Sequence, residues 1–241
     1  MRLHRDHYEG TEFDLTKGAA AGPFGYPDRF YGPYDGSGDV GDPKRVLEGA
    51  WERPLSVAYC GYVYVNQARG WLPAPIGGRM WLGLDKPSDT VFIPFHIGVN
   101  RLPQSVEVCD TTKFSRESAW WTFNFLANYA GLKYSYMHKE IAELQEQLEN
   151  GFLGTLEIVE RKAVDLYRTN PAGARAYLSD FAERNTAETL KKWWELAEHL
   201  IVKYNDGLLT EGGKVGQPLG YPREWLSTTS WPDGPTSYRK R

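Results

Sequence analysis

The chain has 241 residues, 41% of them hydrophobic, and a formal net charge of −3. That length fits one large domain or two small ones with a sizeable core. No basic run exists apart from the tail Tyr238-Arg239-Lys240-Arg241, which argues against a nucleic-acid partner, and no apolar run is long enough to span a membrane.

Residues 1–54 are rich in Gly, Pro and Asp and show little periodicity, so they read as shaped loops. Met1-Arg2-Leu3-His4 is not followed by an apolar stretch, and no secretory signal is expected. The segment from Asp35 to Pro43 alternates Asp and Gly but lacks the register of a calcium loop, and is expected to be a plain turn. Residues 55–110 read as strands. Val57, Tyr59, Gly61, Val63 and Val65 alternate with Ala58, Cys60, Tyr62, Tyr64 and Asn66, and both faces are largely apolar, as in a sheet covered on each side. A second strand runs from Arg79 to Asp85 and a third from Thr90 to Ile97. The turn Lys86-Pro87-Ser88-Asp89 between them predicts an antiparallel hairpin. Pro94 cannot donate to a ladder and predicts an edge or a bulge.

Over 115–205 the period becomes helical. Ser115 is the expected N-cap of a helix carrying Trp120, Phe123, Ala127 and Ala130, stopped by Gly131. Tyr134, Met137, Ile141, Leu144 and Leu148 form an amphipathic stripe expected to end at Asn150-Gly151. A further helix carries Leu156, Val159, Ala163 and Leu166. Asn170-Pro171 reads as a cap with Pro in the first turn, opening a helix to about Arg184. Asn185-x-x-Glu188 resembles a capping box that starts the last long helix. Residues 206–241 return to Gly- and Pro-rich loops. Strands followed by helices make an α+β class, and the absence of a repeat or linker predicts a single folding unit over 1–241. The second apolar face of the first strand needs a cover of its own.

Few positions carry chemistry. The strand ending at Val65-Asn66-Gln67-Ala68-Arg69, before Gly70-Trp71-Leu72-Pro73-Ala74-Pro75-Ile76-Gly77-Gly78, is the strongest constellation. An Arg guanidinium offers two parallel donors to a carboxylate, and an Asn or Gln amide can donate to an oxyanion. Asn66, Gln67 and Arg69 therefore either contact a ligand or cap the sheet and hold the Pro/Gly loop. His4 and His7 have no third ligand that would make a metal site, and Glu9 and Asp14 fit no defensible acid/base spacing. Asn124 and Asn128 read as helix-packing amides, His96 as a core or edge residue, and His138 and His199 as helix residues without a partner pattern. No metal or cofactor is expected. Cys60 and Cys109 make no disulfide framework and are expected to be reduced, buried thiols.

The stretch His7-Tyr8-Glu9-Gly10-Thr11-Glu12-Phe13-Asp14-Leu15-Thr16-Lys17-Gly18, running into Ala21-Gly22-Pro23-Phe24-Gly25, resembles a signature of the cysteine-type N-terminal-nucleophile dipeptidases, the family that includes secernin. The segments Gln67-x-Arg69-x-Trp71-Leu72-Pro73, Trp81-Leu82-Gly83-Leu84-Asp85, Phe92-Ile93-Pro94-Phe95, Ser118-Ala119-Trp120-Trp121 and Lys203-Tyr204-Asn205-Asp206-Gly207 are similar to it in the same order. The resemblance implies a part of an αββα sandwich that hydrolyses dipeptide amide bonds. It also implies that the opening signature, central in the family's polypeptides, stands here at the start, with the front half missing.

That half would carry the nucleophile, a cysteine exposed as the first residue. Its free α-amine, with a pKa of about 7.7–8, serves as base for the thiol; the thiolate attacks and nearby donors hold the oxyanion. This chain begins Met1-Arg2, and Cys60 and Cys109 are internal. The resemblance thus implies no catalytic residue in this chain and none of the activity in the chain alone, with Asn66, Gln67 and Arg69 as substrate contacts. The alternative is a non-catalytic segment or subunit acting with a partner chain that bears the cysteine. A cytoplasmic setting is expected.

Overall fold

The computed structural model describes residues 1–30 and 53–228. The Asp35–Pro43 turn and the basic tail at 238–241 lie outside the described residues. In chain order the elements are β1 (Tyr62–Ala68), the one-turn α1 (Ala74–Gly77), β2 (Gly78–Leu84), β3 (Ile93–His96), α2 (Gln104–Glu107), α3 (Ala119–Ala130), α4 (Tyr134–Thr169), α5 (Pro171–Lys203), β4 (Leu208–Glu211), β5 (Lys214–Pro218) and α6 (Arg223–Thr228). The chain is α+β. Its three-stranded sheet is antiparallel in the order β1-β2-β3. Pro94 sits on β3, at an edge of that order, where its missing N–H costs no ladder bond. The expected β2–β3 hairpin is present, and its turn, Pro87–Asp89, is a buried 3₁₀ turn. β1 starts later than the alternation suggests: residues 57–61 form an irregular approach, and Tyr62 is the first paired residue.

Two helix boundaries read from the sequence are absent. α4 runs unbroken through Gly151 and Gly154, because Leu148, Phe152, Leu156, Val159 and Ala163 continue one buried stripe. Each glycine costs a helix only about 1 kcal/mol, less than burying Phe152 returns. α5 likewise passes through Asn185 without restarting. The Asn170 cap is as read: its Oδ1 accepts from the Gly173 N–H at 2.9 Å, with Pro171 in the first turn. The cap of α3 is Ser118 rather than Ser115; the Ser118 Oγ accepts from the Trp121 N–H, whereas the Ser115 Oγ accepts from Glu117 in the preceding turn. The C-terminal region, expected to be loops, contains the β4–β5 hairpin and α6.

α4 and α5 fold back on each other across Asn170 and pack on the sheet through β3. Trp193, Phe123, Met137, Ile141, Leu178 and Leu200 fill the layer between. On β1 and β2 the pleat sends Val63, Val65 and Trp81 toward the helices. The opposite face was expected to be covered, yet it presents Tyr62 and Tyr64, 61% and 48% exposed and stacked with ring centres 6.2 Å apart. The opening loop closes on itself. Asp14 accepts from the Gly10 and Thr16 N–H groups, and Glu9 accepts from the His7 N–H. Arg5 then clamps the loop to α4 through both oxygens of Glu149 and to the β2–β3 connection through the Thr90 carbonyl.

Candidate functional site

β1 ends by delivering Arg69 to the base of the Pro/Gly loop. The Arg69 side chain is only 8% exposed. Its Nη1 donates to Glu160 Oε2 at 2.5 Å, Nη2 to the Ile76 carbonyl at 2.9 Å and Nε to the Gly77 carbonyl at 3.2 Å. The fork therefore holds the loop, one of the two roles its position allowed, and each terminal nitrogen keeps one further N–H. The loop is tight: a Cβ on Gly77 would lie 2.5 Å from the Arg69 carbonyl oxygen. Glu160, on α4, also accepts from Arg79 Nη1 and His96 Nε2, both at 2.8 Å. Burial raises the Glu160 carboxyl, but bonds from His96 and Arg69 and the charges of both arginines outweigh it and hold the group at about 2.

Asn66 and Gln67 occupy opposite faces of β1. Gln67 lies on the helix side beside Arg79, its cross-strand partner, and its Oε1 accepts from Arg79 Nη2 at 2.5 Å. The Gln67 Nε2 is left as a donor. Asn66 is exposed on the face of Tyr62 and Tyr64. The structure thus joins Gln67 to Arg69 through Arg79 and Glu160 and sets Asn66 apart. A cavity of about 380 Å³ opens beside this network, lined by Arg69, Trp71, Leu72, Glu160 and Arg161. Arg79, Glu160 and His96 were not singled out as a group by sequence reading. Arg79 was within reach of it, since the hairpin register sets it opposite Gln67. Glu160 was not, being 91 residues from Arg69.

The other titratable positions are tied into the scaffold. His7 is fully buried, with Nδ1 3.3 Å from Glu9 Oε1; the Glu9 carboxyl is lowered to about 2, chiefly by that His7 bond. His138 and His199, which show no partner pattern in the sequence, lie 3.2 Å from Asp89 and 3.0 Å from Glu140. Lys86 is buried in the β2–β3 turn, its ammonium 2.7 Å from Asp28 and 2.8 Å from Asp89. Burial lowers the Lys86 pKa, but the two carboxylates win and raise it; Asp89 is correspondingly depressed. The thiols depart from expectation. Cys60 is half-buried in the approach to β1 and Cys109 is exposed. Cys60 Sγ donates to the Tyr62 carbonyl at 3.2 Å, and burial pushes its thiol pKa up. The charge of Asp85 raises it further, the opposite of the electropositive surroundings that make a reactive thiolate.

The family model for peptidase family C69 matches residues 2–147. The chain belongs to peptidase family C69. Similar proteins include the probable dipeptidase B of Streptococcus pyogenes serotype M1, 19% identical over 201 residues that cover 83% of this chain and 37% of that protein. Dipeptidase A of Lactobacillus helveticus is 25% identical over 167 residues, covering 66% of this chain and 33% of that protein. The C69 chain described here spans about a third of the length of the curated relatives it matches. Both the closed opening loop and the Gln67–Arg69 network fall at least partly within the matched residues, and Glu160 lies beyond them. No helix among the described residues is long and apolar enough to cross a membrane.

Proposed function

We propose that this C69 chain is the C-terminal part of a cysteine-type dipeptidase, one folding unit of an N-terminal-nucleophile αββα sandwich, whose nucleophilic cysteine lies on polypeptide outside it. The observation that carries the reading is the family match together with relatives named dipeptidases, of which the matched stretch covers only 37% and 33%. The apolar Tyr62/Tyr64 face supports it, because a second sheet packed there would complete the sandwich. In this reading an N-terminal thiolate attacks the dipeptide carbonyl, the leaving amine departs, and water releases the acyl group. Neither Cys60 nor Cys109 supplies that thiolate, being internal. The substrate, a dipeptide, meets the β1 end. Gln67 donates its amide N–H and Arg69 directs its uncommitted N–H groups to the carboxylate, while Asn66, on the opposite face of β1, is not part of this set. We place the protein in the cytoplasm, where both thiols stay reduced.

Replacing Arg69 with Ala in the complete enzyme is expected to raise KM about tenfold or more with a smaller effect on kcat. An unchanged KM in a folded variant removes Arg69 from the substrate site. A partner chain bearing the cysteine is the second reading, favoured by the same exposed tyrosine face. Co-purification of this chain with a separately encoded cysteine-bearing chain would distinguish the two.

A further inference from the structure

At the other end of β2 the structure carries a site that the β1-end reading does not use. A cavity of about 600 Å³ opens between the approach to β1, the end of β2 and α3. Its walls include Tyr59, Tyr62 and Trp120, and Asp85, Asn124 and Asn128 line it as well. This volume falls in the range of small-molecule sites, and mixed aromatic walls with a few convergent polar groups are their usual lining.

The charge balance of the floor is incomplete. Asp85 is 2% exposed and adopts a φ of 65°, in the left-handed region that a non-glycine residue seldom occupies. Lys86, the nearest buried cation, is already shared by Asp28 and Asp89. Asp28 also feels the buried Arg29 guanidinium and Asp89 also meets His138 at 3.2 Å, whereas Asp85 has neither as a close ion-pair partner. A second void, of about 20 Å³, lies among Asp28, Asp85 and Lys86, and the buried Asp28 Oδ1 has no hydrogen-bond partner. Burial lifts the Asp85 carboxyl to about 6, against the opposing bond from Asn124. A buried carboxylate without a cation of its own is costly unless something positive enters.

The polar groups specify what would enter. Asn124 Nδ2 donates to Asp85 Oδ1 at 3.0 Å, and Asn128 Nδ2 donates to the Asn124 carbonyl at 2.9 Å. Both amides thus spend donors, and their Oδ1 atoms remain as acceptors. With the Asp85 carboxylate they put three acceptor groups on the lining of this cavity, as many as the N–H donors of a primary ammonium. The aromatic rings suit the cation and an apolar body behind it. A bare metal ion fits less well, since no group of three metal-ligating side chains occurs among the described residues.

We propose that this cavity binds a small organic molecule bearing a primary ammonium group, held by Asp85 with Asn124 and Asn128 and packed against Trp120 and Tyr59. The site is separate from the β1-end contacts. Asp85 is six residue steps along β2 from Arg79, about 20 Å, whereas an extended dipeptide spans only about 7 Å. One dipeptide cannot touch both.

The test is calorimetric titration of the 241-residue chain at about pH 8, where Asp85 is ionised and the amine stays protonated. Phenethylamine, its trimethylammonium analogue and phenethyl alcohol are the probes. Phenethylamine is expected to bind at least about tenfold more tightly than the other two, since only it offers both the charge and three donors. In the Asp85→Asn variant that advantage is expected to vanish. Equal binding of amine and alcohol to the unaltered chain, or no saturable binding of the amine, overturns the proposal without reliance on any variant. Equal binding of the two ammonium probes overturns the three-acceptor assignment.

Discussion

Glu160 and Asp85 are both buried carboxyl groups, yet their surroundings move them in opposite directions. Glu160, held at about 2 by His96 and two arginines, has a folded pKa below its ordinary value. Its contribution is present above about pH 4.5 and is lost as the pH falls toward 2. Glu160→Gln leaves two buried guanidinium groups under-paired and is expected to destabilise the fold by about 3–5 kcal/mol at neutral pH. Denaturant titration of that variant should also show a flatter stability profile between about pH 5 and pH 2 than the parent. Asp85 has the reverse sign. Its folded pKa of about 6 lies above the ordinary value, so the unfolded chain sheds the proton first and stability falls as the pH rises to about 6. Asp85→Asn is therefore expected to raise stability above that pH by about 1–3 kcal/mol, with little change near pH 4. A destabilised Asp85→Asn protein at pH 8 would show that the carboxylate is better compensated than its neighbours indicate. A group retained at a cost to stability is the usual mark of a binding residue.

The elements show which sequence signals are strong and which are outvoted. The β2–β3 hairpin was legible because Lys86-Pro87-Ser88-Asp89 breaks two apolar runs and Pro94 marks an edge. The Asn170-Pro171 start of α5 was legible for the same local reason. The divisions expected at Asn150-Gly151 and Asn185 were not realised, because punctuation of about 1 kcal/mol yields to a continuous buried stripe. Gly151 and Gly154 are helical, and a Cβ on either would meet nothing within 4 Å. Gly151→Ala and Gly154→Ala are each expected to stabilise the protein by about 0.5–1 kcal/mol, measured as an upward shift in Tm. Gly77→Ala is expected to do the opposite, by about 1–3 kcal/mol, since its Cβ meets backbone that Arg69 holds in place. Equal effects at the three positions would contradict this account of the loop.

For the molecule as a whole, the family and the α+β class were readable from short motifs in order, while the ionic centre was not. Arg69 showed its loop-holding role only once Glu160, far along α4, came to meet it. The cavity at Asp85 was hidden for a similar reason: Tyr59, Asp85 and Asn124 belong to three separate segments, and each has an ordinary structural reading alone. The Tyr62/Tyr64 face is exposed and both cysteines are internal to the sequence, the two features on which the proposed missing nucleophile rests. The most direct measurement is hydrolysis of unmodified dipeptides by the purified 241-residue chain, followed by release of free amino acids. No turnover above the buffer blank is expected, with or without thiol reductant. Turnover that disappears in the Cys60→Ser or Cys109→Ser variant would contradict the account, because an internal thiol of this chain would then be the nucleophile.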